Sequence, residues 1–584
     1  MKKLLLLTNI ILLSFFGAKA QLYSLSFEKN YGGSLYDWPA GFVLLEDSSI
    51  VVAAQTNSND YDVTSEHIGS DYWIYKIDKN GIVLWDYTYG GESGDIPKDI
   101  LQTTDGGFVI AGYTFSDSGD ISINYGSTDI WIIKISSEGL LEWELSIGGS
   151  YGESISDINL NKDSVLYFTG SSESDDGLIG EHFGFNDVPD IIFGKISQEG
   201  ELLLLKVIGT FEDEGSFSVI QNSNGNYLIV GYRDLFVLAR DGYITELSET
   251  GEQLWEKIYG GSDTDIILSI AEIGEHAYYF CGYTYSDDGD LSGHHSAPTW
   301  QDTWVGKIDS IGNLKWSNCY GGTSADEGQQ ILPISDTSFI VAGATASPND
   351  GDVLGNHYSA KPVDVWIVAM DTGGVIMWNN CYGGFDYENF YSIQQFGDGL
   401  VVQGVCRSTD GDIANHYGDA EYPDVWLFKL DKECELMLVY PDLDNDTFGD
   451  SYNYTYACTL EDGFVLIGGD CDDNNANIYP GGAEILNGID DDCNGIADEG
   501  LEVNNLNNYI EVFPTCTSTT ITIQSTFLPI HQIAIYNLTG EIVTIINTES
   551  TIVTIPVQAF ESGIYLIKIY NINQAVFDTL FVKF

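Results

Sequence analysis

The same stretch of sequence recurs along this chain. Residues 129–149 read DIWIIKISSEGLLEWELSIGG, and residues 364–384 read DVWIVAMDTGGVIMWNNCYGG. Self-similarity at a fixed period is typical of architectures in which each unit packs on its neighbours. The repeat constrains the fold more than any other feature, because every copy must bury its apolar face against the next one.

When the repeat units are aligned, equivalent positions form columns. Two of these columns have seven members each, and successive members are 50 to 62 residues apart. The first is a Tyr-Gly-Gly element or a close variant, which begins at Tyr31, Tyr89, Ile147, Ile208, Tyr259, Tyr320 and Tyr382. The second is an aromatic residue that follows an acid, at Trp73, Trp131, Phe193, Tyr243, Trp304, Trp366 and Trp426. A third, incomplete column holds Trp85, Trp143, Trp255, Trp316 and Trp378. Ten of the 12 tryptophans therefore occupy repeat positions, as residues of a scaffold would.

Inside one unit the apolar residues alternate with a period of two. ILQTTDGGFVIAGYT (100–114) reads as strand, turn and strand, and DIWIIKIS (129–136) and GLLEWELSI (139–147) read as two more strands. This pattern predicts an antiparallel sheet of four strands per unit. Seven such sheets predict an all-β, seven-bladed β-propeller over residues 21–440. A β-solenoid is the alternative, although its repeats are usually shorter.

The ends of the array predict how it closes. LYSLSFEKNYGG (22–33) matches only the last strand of a unit, whereas the seventh unit ends in the altered segment CELMLVY (434–440). We expect the N-terminal strand to complete the last blade and so remove an open sheet edge. Through Tyr-Gly-Gly and DGGFVIAGYTFS (105–116), the pattern resembles the repeats of secreted bacterial seven-bladed propellers. The resemblance implies the fold and leaves the chemistry open.

Most units carry a polar insertion between their second and third strands, such as SDDGDL (286–291) and TDGDIANHY (409–417). Histidines recur there, at His67, His182, His294 or His295, His357 and His416. An acid then precedes the aromatic strand, at Asp71, Asp129, Asp190, Asp302, Asp364 and Asp424. These residues form either a ring that binds cations or a polar ligand, or a hydrogen-bonded brace repeated in each blade. Blade four lacks the insertion (231–243), so we expect a notch in the rim there.

Charge and cysteine content narrow the function classes. Acids outnumber bases 88 to 22, a formal net charge of −66, which makes nucleic acid and anionic lipid surfaces improbable partners. The acids lie in turns beside Gly and Asn. Acidic residues are common in turns, and they also supply the oxygen ligands of hard-cation sites, so both interpretations stay open. Nine cysteines permit disulfides in an exported protein, but the number is odd and no connectivity follows from the spacing.

The first twenty residues, MKKLLLLTNIILLSFFGAKA, have two early lysines, an apolar stretch and a small-x-small ending. They predict a secretory signal peptide over residues 1–20 that is cleaved before Gln21. No later stretch is apolar and long enough to predict a transmembrane segment.

The composition of the sequence changes after the predicted propeller, where aspartates become dense. DLDNDTFGD (442–450), GDCDDNNANIYPGG (469–482) and NGIDDDCNGIADEG (487–500) alternate acids in tight loops, the arrangement that hard cations require. In the third segment Asp490, Asp492, Asn494, Gly495 and Asp498 match positions one, three, five, six and nine of an EF-hand loop. Position twelve is Leu501 instead of Glu, which disfavours a standard EF-hand, although Glu499 or Glu502 could supply the missing oxygens.

The stretch over 441–500 resembles the Asp-rich metal-binding module of secreted bacterial proteins, with DxDGDGYGD, GDCDD and EICNGIDNDCDG elements. The resemblance implies these ligands: Asp442, Asp444, Asp446, Asp450, Asp470, Asp472, Asp473, Asp490, Asp492, Asn494, Asp498 and Glu499. Because carboxylates dominate and no histidine cluster is present, we predict Ca²⁺ as the cofactor. The family's cysteine after Glu-Ile is Leu486 here, so one of Cys458, Cys471 and Cys493 is expected to lack its usual partner.

After a linker at 501–508, residues 509–584 read as a small β-sandwich. IAIYNLTGEIV (533–543), SGIYLIKI (562–569) and the final VKF are similar to the C-terminal sorting domain of bacterial type IX secretion. The resemblance implies that this domain engages the type IX secretion machinery and that the protein crosses both membranes of a Gram-negative cell. A plain interaction sandwich is the alternative.

Known catalytic signatures are not evident: we find no nucleophile elbow, HExxH, P-loop or Rossmann glycine set. An enzyme is therefore less favoured, although a glycosidase-type acid pair could lie among so many carboxylates. The sequence favours an exported cell-surface or extracellular binding or adhesion protein, with a glycan or protein ligand at the propeller face. An extracellular polymer-degrading hydrolase or lyase is the alternative.

Overall fold

We analysed a computed structural model of the chain. It describes residues 22–64, 69–185, 188–234, 239–274, 276–296, 299–357, 363–418, 421–499, 510–526, 529–570 and 576–584. The predicted signal peptide (1–20) and linker (501–508) lie outside the described residues. The described residues contain strands and no helix, and therefore no helix that could span a membrane. The chain divides into two compact units, residues 1–437 with 456–459 and residues 438–455 with 460–584.

Seven antiparallel four-stranded sheets build the first unit, which confirms the predicted propeller. Blade one consists of β2 (Asp37–Leu44), β3 (Ile50–Thr56), β4 (Asp71–Ile77) and β5 (Val83–Tyr89). Blade two consists of β6 (Asp95–Gln102), β7 (Phe108–Thr114), β8 (Asp129–Ile135) and β9 (Leu141–Ile147). Blade three consists of β10 (Glu153–Leu160), β11 (Leu166–Ser172), β12 (Asp190–Ile196) and β13 (Leu202–Ile208). Blade four consists of β14 (Glu214–Gln221), β15 (Tyr227–Asp234), β16 (Arg240–Leu247) and β17 (Gln253–Tyr259). Blade five consists of β18 (Asp265–Glu272), β19 (Ala277–Thr284), β20 (Asp302–Asp309) and β21 (Leu314–Tyr320). Blade six consists of β22 (Asp326–Ser335), β23 (Ser338–Thr345), β24 (Asp364–Asp371) and β25 (Ile376–Tyr382).

Blade seven joins the two ends of the propeller. It consists of β26 (Glu388–Phe396), β27 (Gly399–Cys406) and β28 (Asp424–Lys432), and its fourth strand is β1 (Tyr23–Tyr31). β1 pairs antiparallel with β28, with Tyr31 opposite Val425 and Tyr23 opposite Lys432. The first strand of each blade contacts that of the next, and β26 contacts β2, so the circle of blades is closed. The predicted closure by the N-terminal strand is thus confirmed.

Apolar faces of neighbouring blades pack on each other to form the core. Between blades one and two, Val51, Ile74, Phe108 and Ile133 are buried in one cluster, and the rings of Tyr72 and Trp131 lie 4.7 Å apart. All seven aromatic residues of the second repeat column are buried. The prediction was wrong about one of them. Ile192 pairs with Gly170 as Trp131 pairs with Gly112, so Phe193 stands one place beyond the column.

Short strands and then a sandwich follow the propeller along the chain. The short strands are β29 (Met437–Pro441), β30 (Gly449–Asp450), β31 (Thr455–Ala457), β32 (Phe464–Val465) and β33 (Gly468–Asp470). The sandwich has a three-stranded sheet, β34 (Ile510–Phe513), β36 (Thr520–Ser525) and β39 (Ile552–Pro556). Its five-stranded sheet contains β35 (Cys516–Thr517), β37 (Ile530–Asn537), β38 (Ile542–Ser550), β40 (Gly563–Tyr570) and β41 (Val576–Lys583). Ile523, Ile533, Ile567 and Phe581 are buried between the two sheets, as in the predicted β-sandwich.

Candidate metal centre and the propeller loops

Two groups of acids converge in the loop after β29. One carboxylate oxygen each from Asp442, Asp444 and Asp473 lie within 4.8 Å of one another, and so do oxygens of Asp444, Asp446 and Asp470. Asp444 belongs to both groups, so the two groups form one continuous acidic site. Such a spacing suits a hard cation, whose oxygen ligands lie about 2.3–2.6 Å from the ion.

The backbone of the loop turns the carboxylates inward. The amide of Asp446 donates to Asp442 Oδ1 and to Asp444 Oδ1, both at 3.2 Å, and the amide of Leu443 donates to Asp473 Oδ1 at 3.1 Å. Asn445 and Thr447 have positive φ values of 64° and 84°. Both stand where the resembling family carries glycine, the residue that adopts this conformation without strain.

Several of these carboxylate oxygens are buried without a hydrogen-bond donor. Asp444 Oδ2, Asp446 Oδ2 and Asp470 Oδ2 have no partner, although Asp470 is only 4% exposed. Burial, followed by the charges of neighbouring aspartates, raises the pKa values of Asp446, Asp470 and Asp473. Because a buried carboxylate oxygen needs a donor or a cation, this donor set fits a bound metal ion.

A third acidic group contains a residue that sequence reasoning missed. Glu484, Asp492 and Glu499 place one oxygen each within 4.8 Å of the others. Glu484 also accepts hydrogen bonds from the amides of Asp491 at 2.9 Å, Asp492 at 3.0 Å and Asp498 at 2.7 Å, so it organises the loop around itself. It lies before the Asp-rich run, and only its place in the EICNG element of the resembling family could have singled it out.

Five of the predicted ligands lie outside these three groups. Asp490 accepts hydrogen bonds from the amides of Asn494 and Gly495, as the first residue of an EF-hand-like turn does. Asp498 accepts hydrogen bonds from the amides of Asn487 and Gly488. Asn494 donates to Glu499. Asp450 accepts a hydrogen bond from the amide of Tyr452, and Asp472 is exposed. Their assignment as ligands stays a prediction, as does that of the other seven.

Two disulfides stabilise this region. Cys471 is bonded to Cys493, and Cys458 is bonded to Cys434. Cys434 stands where the other units of the repeat carry glycine. The structure therefore gives Cys458 a partner from the end of the repeat array. Of the remaining cysteines, Cys281, Cys319, Cys381 and Cys406 are buried thiols and Cys516 is exposed.

In the propeller, four of the predicted histidines contact the predicted acid of their own blade, and two of them also contact an acid of the next blade. His357 Nδ1 lies 3.1 Å from Asp364 Oδ2, and its Nε2 lies 3.6 Å from Asp412 of the next blade. His295 sits in the same way beside Asp302 and Asp352. His182 and His416 lie 3.5 Å and 3.8 Å from the acids of their own blades, Asp190 and Asp424, and His67 lies outside the described residues. His295 and His357 thus each link an acid of their own blade to an acid of the next one.

A second column of acids was missed. The first residue of each innermost strand is a buried acid, four places after the last residue of the Tyr-Gly-Gly element: Asp37, Asp95, Glu153, Glu214, Asp265, Asp326 and Glu388. Asp95, for example, accepts hydrogen bonds from Thr114, from the amide of Gly91 at 2.7 Å and from Ser116 at 3.0 Å. The constant spacing could have revealed this column. It was missed because aspartate is common in turns and each of these acids has that ordinary explanation.

The two acid columns face each other across the first glycine of the Tyr-Gly-Gly element. A Cβ on Gly90 would lie 2.2 Å from Asp71 Oδ1 and 2.6 Å from Asp95 Oδ2, so only glycine fits there. Asp71 Oδ1 has no hydrogen-bond partner, and the same holds for Oδ1 of Asp129, Asp190, Asp241, Asp302, Asp364 and Asp424. Burial, then the charges of Asp95 and Asp120, raises the pKa of Asp71 to about 7.

Two parts of the chain match known families. Residues 470–499 match the family Cu-binding_MopE, described as "Putative metal-binding motif", and residues 511–583 match the family described as "Secretion system C-terminal sorting domain". The tail is thus a type IX sorting domain, and the protein is secreted to the cell surface or the extracellular space. None of the curated proteins compared with the chain matches it.

Solved structures, among them a β-propeller domain, are similar to this chain at low sequence identity. The β-propeller domain of the Trilobed protease from Pyrococcus furiosus is 10% identical, with 68% of this chain and 97% of that chain covered and a TM-score of 0.35. Drosophila Plexin A in complex with Semaphorin 1b is 9% identical, with 70% and 87% covered and a TM-score of 0.35. A polysaccharide lyase of family PL25, an ulvan lyase, is 10% identical, with 64% and 93% covered and a TM-score of 0.39.

Proposed function

We propose that this protein is an exported binding or adhesion protein of a Gram-negative bacterium. The propeller presents a face that binds a glycan or protein ligand. The module over 441–500 binds Ca²⁺ and serves as a stiffened spacer, and the sorting domain delivers the chain to the type IX machinery. A signal peptide over residues 1–20 takes it across the inner membrane.

The observation that carries the cation site of the proposal is a set of buried carboxylate oxygens around Asp444 that have no hydrogen-bond donor. Asp444 Oδ2, Asp446 Oδ2 and Asp470 Oδ2 are buried beside further acids, and a divalent cation would offset their mutual repulsion. Carboxylates with neighbouring backbone carbonyls form the ligand chemistry of Ca²⁺, whereas copper and zinc favour imidazole and thiolate. Copper belongs to the name of the matched family and is therefore the competing metal to test.

The propeller supports a binding role through the way its polar residues are used. Asp and His side chains contact one another in blades three, five, six and seven, and His295 and His357 each lie beside an acid of the next blade as well. These residues therefore contribute to the packing of the scaffold. Propellers commonly bind ligands at loops carried on such a rigid scaffold. Turnover of a polysaccharide by the purified protein would contradict the binding role and favour the hydrolase or lyase.

Calorimetric titration of the metal-free secreted chain tests the cation site. We expect Ca²⁺ to bind, and Asp444→Asn to weaken its affinity by about tenfold or more, because Asp444 is shared by both acidic groups. Asp163→Asn is the matched control, since Asp163 is an exposed acid in a propeller turn. Absence of Ca²⁺ binding, or an affinity for Ca²⁺ that Asp444→Asn leaves unchanged, would contradict the assignment.

A further inference from the structure

Blade four differs from the other blades in the connection between its second and third strands. β15 and β16 are joined by residues 235–239, whereas β3 and β4 are joined by residues 57–70. The sequence predicted a notch in the rim at this blade. The contacts that the insertion makes in the other blades show which residues of blade four lose their cover.

In those blades the insertion covers the residue that follows the tryptophan of the outermost strand. Thr64 donates its amide to Asp86 at 2.8 Å, Ser122 donates to Glu144, and Leu354 donates its amide to Asn379 at 3.1 Å. The corresponding residue of blade four is Glu256. It accepts hydrogen bonds from Arg233 at 3.2 Å and Tyr243 at 3.0 Å instead, and its side chain stays 46% exposed.

A groove of about 570 Å³ opens at this place, between the outer strands of blades three and four. One wall is formed by β13 and the insertion of blade three, with Glu181 and Lys206. The other is formed by β17 and the turn before it, with Glu252, Gln253 and Glu256. Arg233 lies at the base. It replaces the Thr or Ser found in most blades and pairs with buried Glu214, 2.9 Å away.

The charges of the groove are largely paired. Arg233 contacts Glu214 and Glu256, and Lys206 Nζ lies 3.5 Å from Glu252. An anionic ligand would meet carboxylates on both walls in a chain whose net charge is −66. A polyhydroxyl ligand suits the groove better, because carboxylate, amide and ammonium groups exchange hydrogen bonds with hydroxyls without a net charge.

Exposed aromatic side chains flank the groove. Phe183, Phe185 and Phe211 are 43%, 76% and 78% exposed, and Phe183 is part of the lining. A Cβ on Gly184 would lie 3.3 Å from the Cα of Phe211, so the two segments that carry these rings are adjacent. Exposed aromatic rings beside a polar groove offer apolar faces on which the CH faces of sugar rings can pack.

We propose that the groove between blades three and four binds a neutral glycan. The hydroxyls contact the paired polar side chains of Glu252, Gln253 and Glu256, and Phe183 and Phe211 pack against the sugar rings. The inference rests on the proposed binding function and assigns its ligand class and its place on the propeller.

An array of neutral and anionic glycans, probed with the secreted chain, tests the assignment. We expect neutral glycans to be bound, and Phe211→Ala and Glu252→Ala each to weaken the best of them by at least about tenfold. Phe385→Ala is the matched control, because Phe385 holds the same place in the repeat after Tyr382 and is 58% exposed. It should bind as the wild type does. Circular dichroism checks that every variant is folded.

Equal binding by the wild type and both groove variants would overturn the site but leave the binding function intact. Binding of anionic glycans alone would overturn the ligand class. If cells or matrix proteins are bound and no glycan is, the glycan assignment fails and adhesion to protein remains. If the chain binds neither glycans nor proteins, the proposed function fails together with the inference.

Discussion

The phenol of Tyr259, at the end of β17, donates a hydrogen bond of 2.6 Å to the carbonyl of Gly312 in the following blade. The same bond joins Tyr31 to Gly81 at 2.9 Å and Tyr320 to Gly374 at 2.5 Å. It is made by the tyrosine of the Tyr-Gly-Gly element and the turn between the last two strands of the next blade. The repeat column therefore encodes a tie between blades.

Replacing Tyr259 by phenylalanine removes this tie and leaves the ring in place. We expect the free energy of unfolding of the propeller to fall by about 1 kcal/mol, because a buried carbonyl loses its donor. Denaturant unfolding of the secreted chain measures the change. Tyr151→Phe is the control, since Tyr151 is 40% exposed. An unchanged midpoint for Tyr259→Phe would mean that water replaces the phenol.

The stability of the propeller should fall as the pH rises from 5 to 8.5. Burial, then the charges of Asp37 and Asp62, raises the pKa of Asp424 to about 8, and the pKa of Asp71 is raised to about 7. Well below the ordinary aspartate pKa of about 3.9, these carboxyls are protonated in both states. Between pH 4 and 8 the folded state holds protons that the unfolded state has released, so folding is progressively disfavoured as the pH increases.

Asp71→Asn tests this dependence, because the amide is neutral at every pH. We expect the variant to gain stability over the wild type at pH 8.5 and to match it near pH 3, as measured by thermal unfolding. The gain should shrink steadily as the pH is lowered. A difference that is constant with pH would exclude proton uptake at Asp71.

Thr447 adopts a φ of 84°, a conformation that a β-branched residue rarely takes. Thr447→Gly should stabilise the Asp-rich module by about 1 kcal/mol or less, since relief of the left-handed strain exceeds the added chain entropy of glycine. Asn445→Gly is the comparison and should gain less, because asparagine tolerates this region. Thermal unfolding with and without Ca²⁺ measures both. Destabilisation by Thr447→Gly would show that the threonine side chain is needed.

The disulfide between Cys471 and Cys493 closes a loop with a sequence separation of 22. Replacing both residues by serine should lower the free energy of unfolding of the module by about 3 kcal/mol, because the unfolded chain regains the entropy that the crosslink removes. Cys516→Ser serves as control, since Cys516 is an exposed free thiol. Limited proteolysis under native conditions should cut the double variant faster between residues 470 and 499. Equal cleavage would contradict the prediction.

The fold could be predicted because the same pattern of aromatic and glycine residues occurs in seven repeat units. Tyr-Gly-Gly and the aromatic strand fix where each blade begins and ends, and the unmatched segment at 22–33 indicates how the circle closes. The register of one strand escaped, because Phe193 is aromatic like its counterparts, and only strand pairing shows that Ile192 holds the column.

The sites were predictable to a smaller extent. Repeated acids such as Asp71 were found, but their partners in the Asp37 column were not, because an acid in a turn has an ordinary explanation. Asp444 and Asp470 were recognised through a family resemblance, whereas Glu484 acts through backbone amides that only folding brings to it. The groove beside Arg233 depends on a deletion, which a sequence shows only as a shorter spacing.

The pairing of β1 with β28 makes the two ends of the propeller depend on each other. Newly made chain cannot complete its last blade until residue 432 has left the ribosome, and until then the first strand has no partner. The predicted cleavage before Gln21 leaves two residues ahead of Tyr23, whose partner in the pairing is Lys432. A signal peptidase that cut a few residues later would therefore remove the start of β1 along with the leader, and the last blade would lose the strand pairs that those residues make with β28.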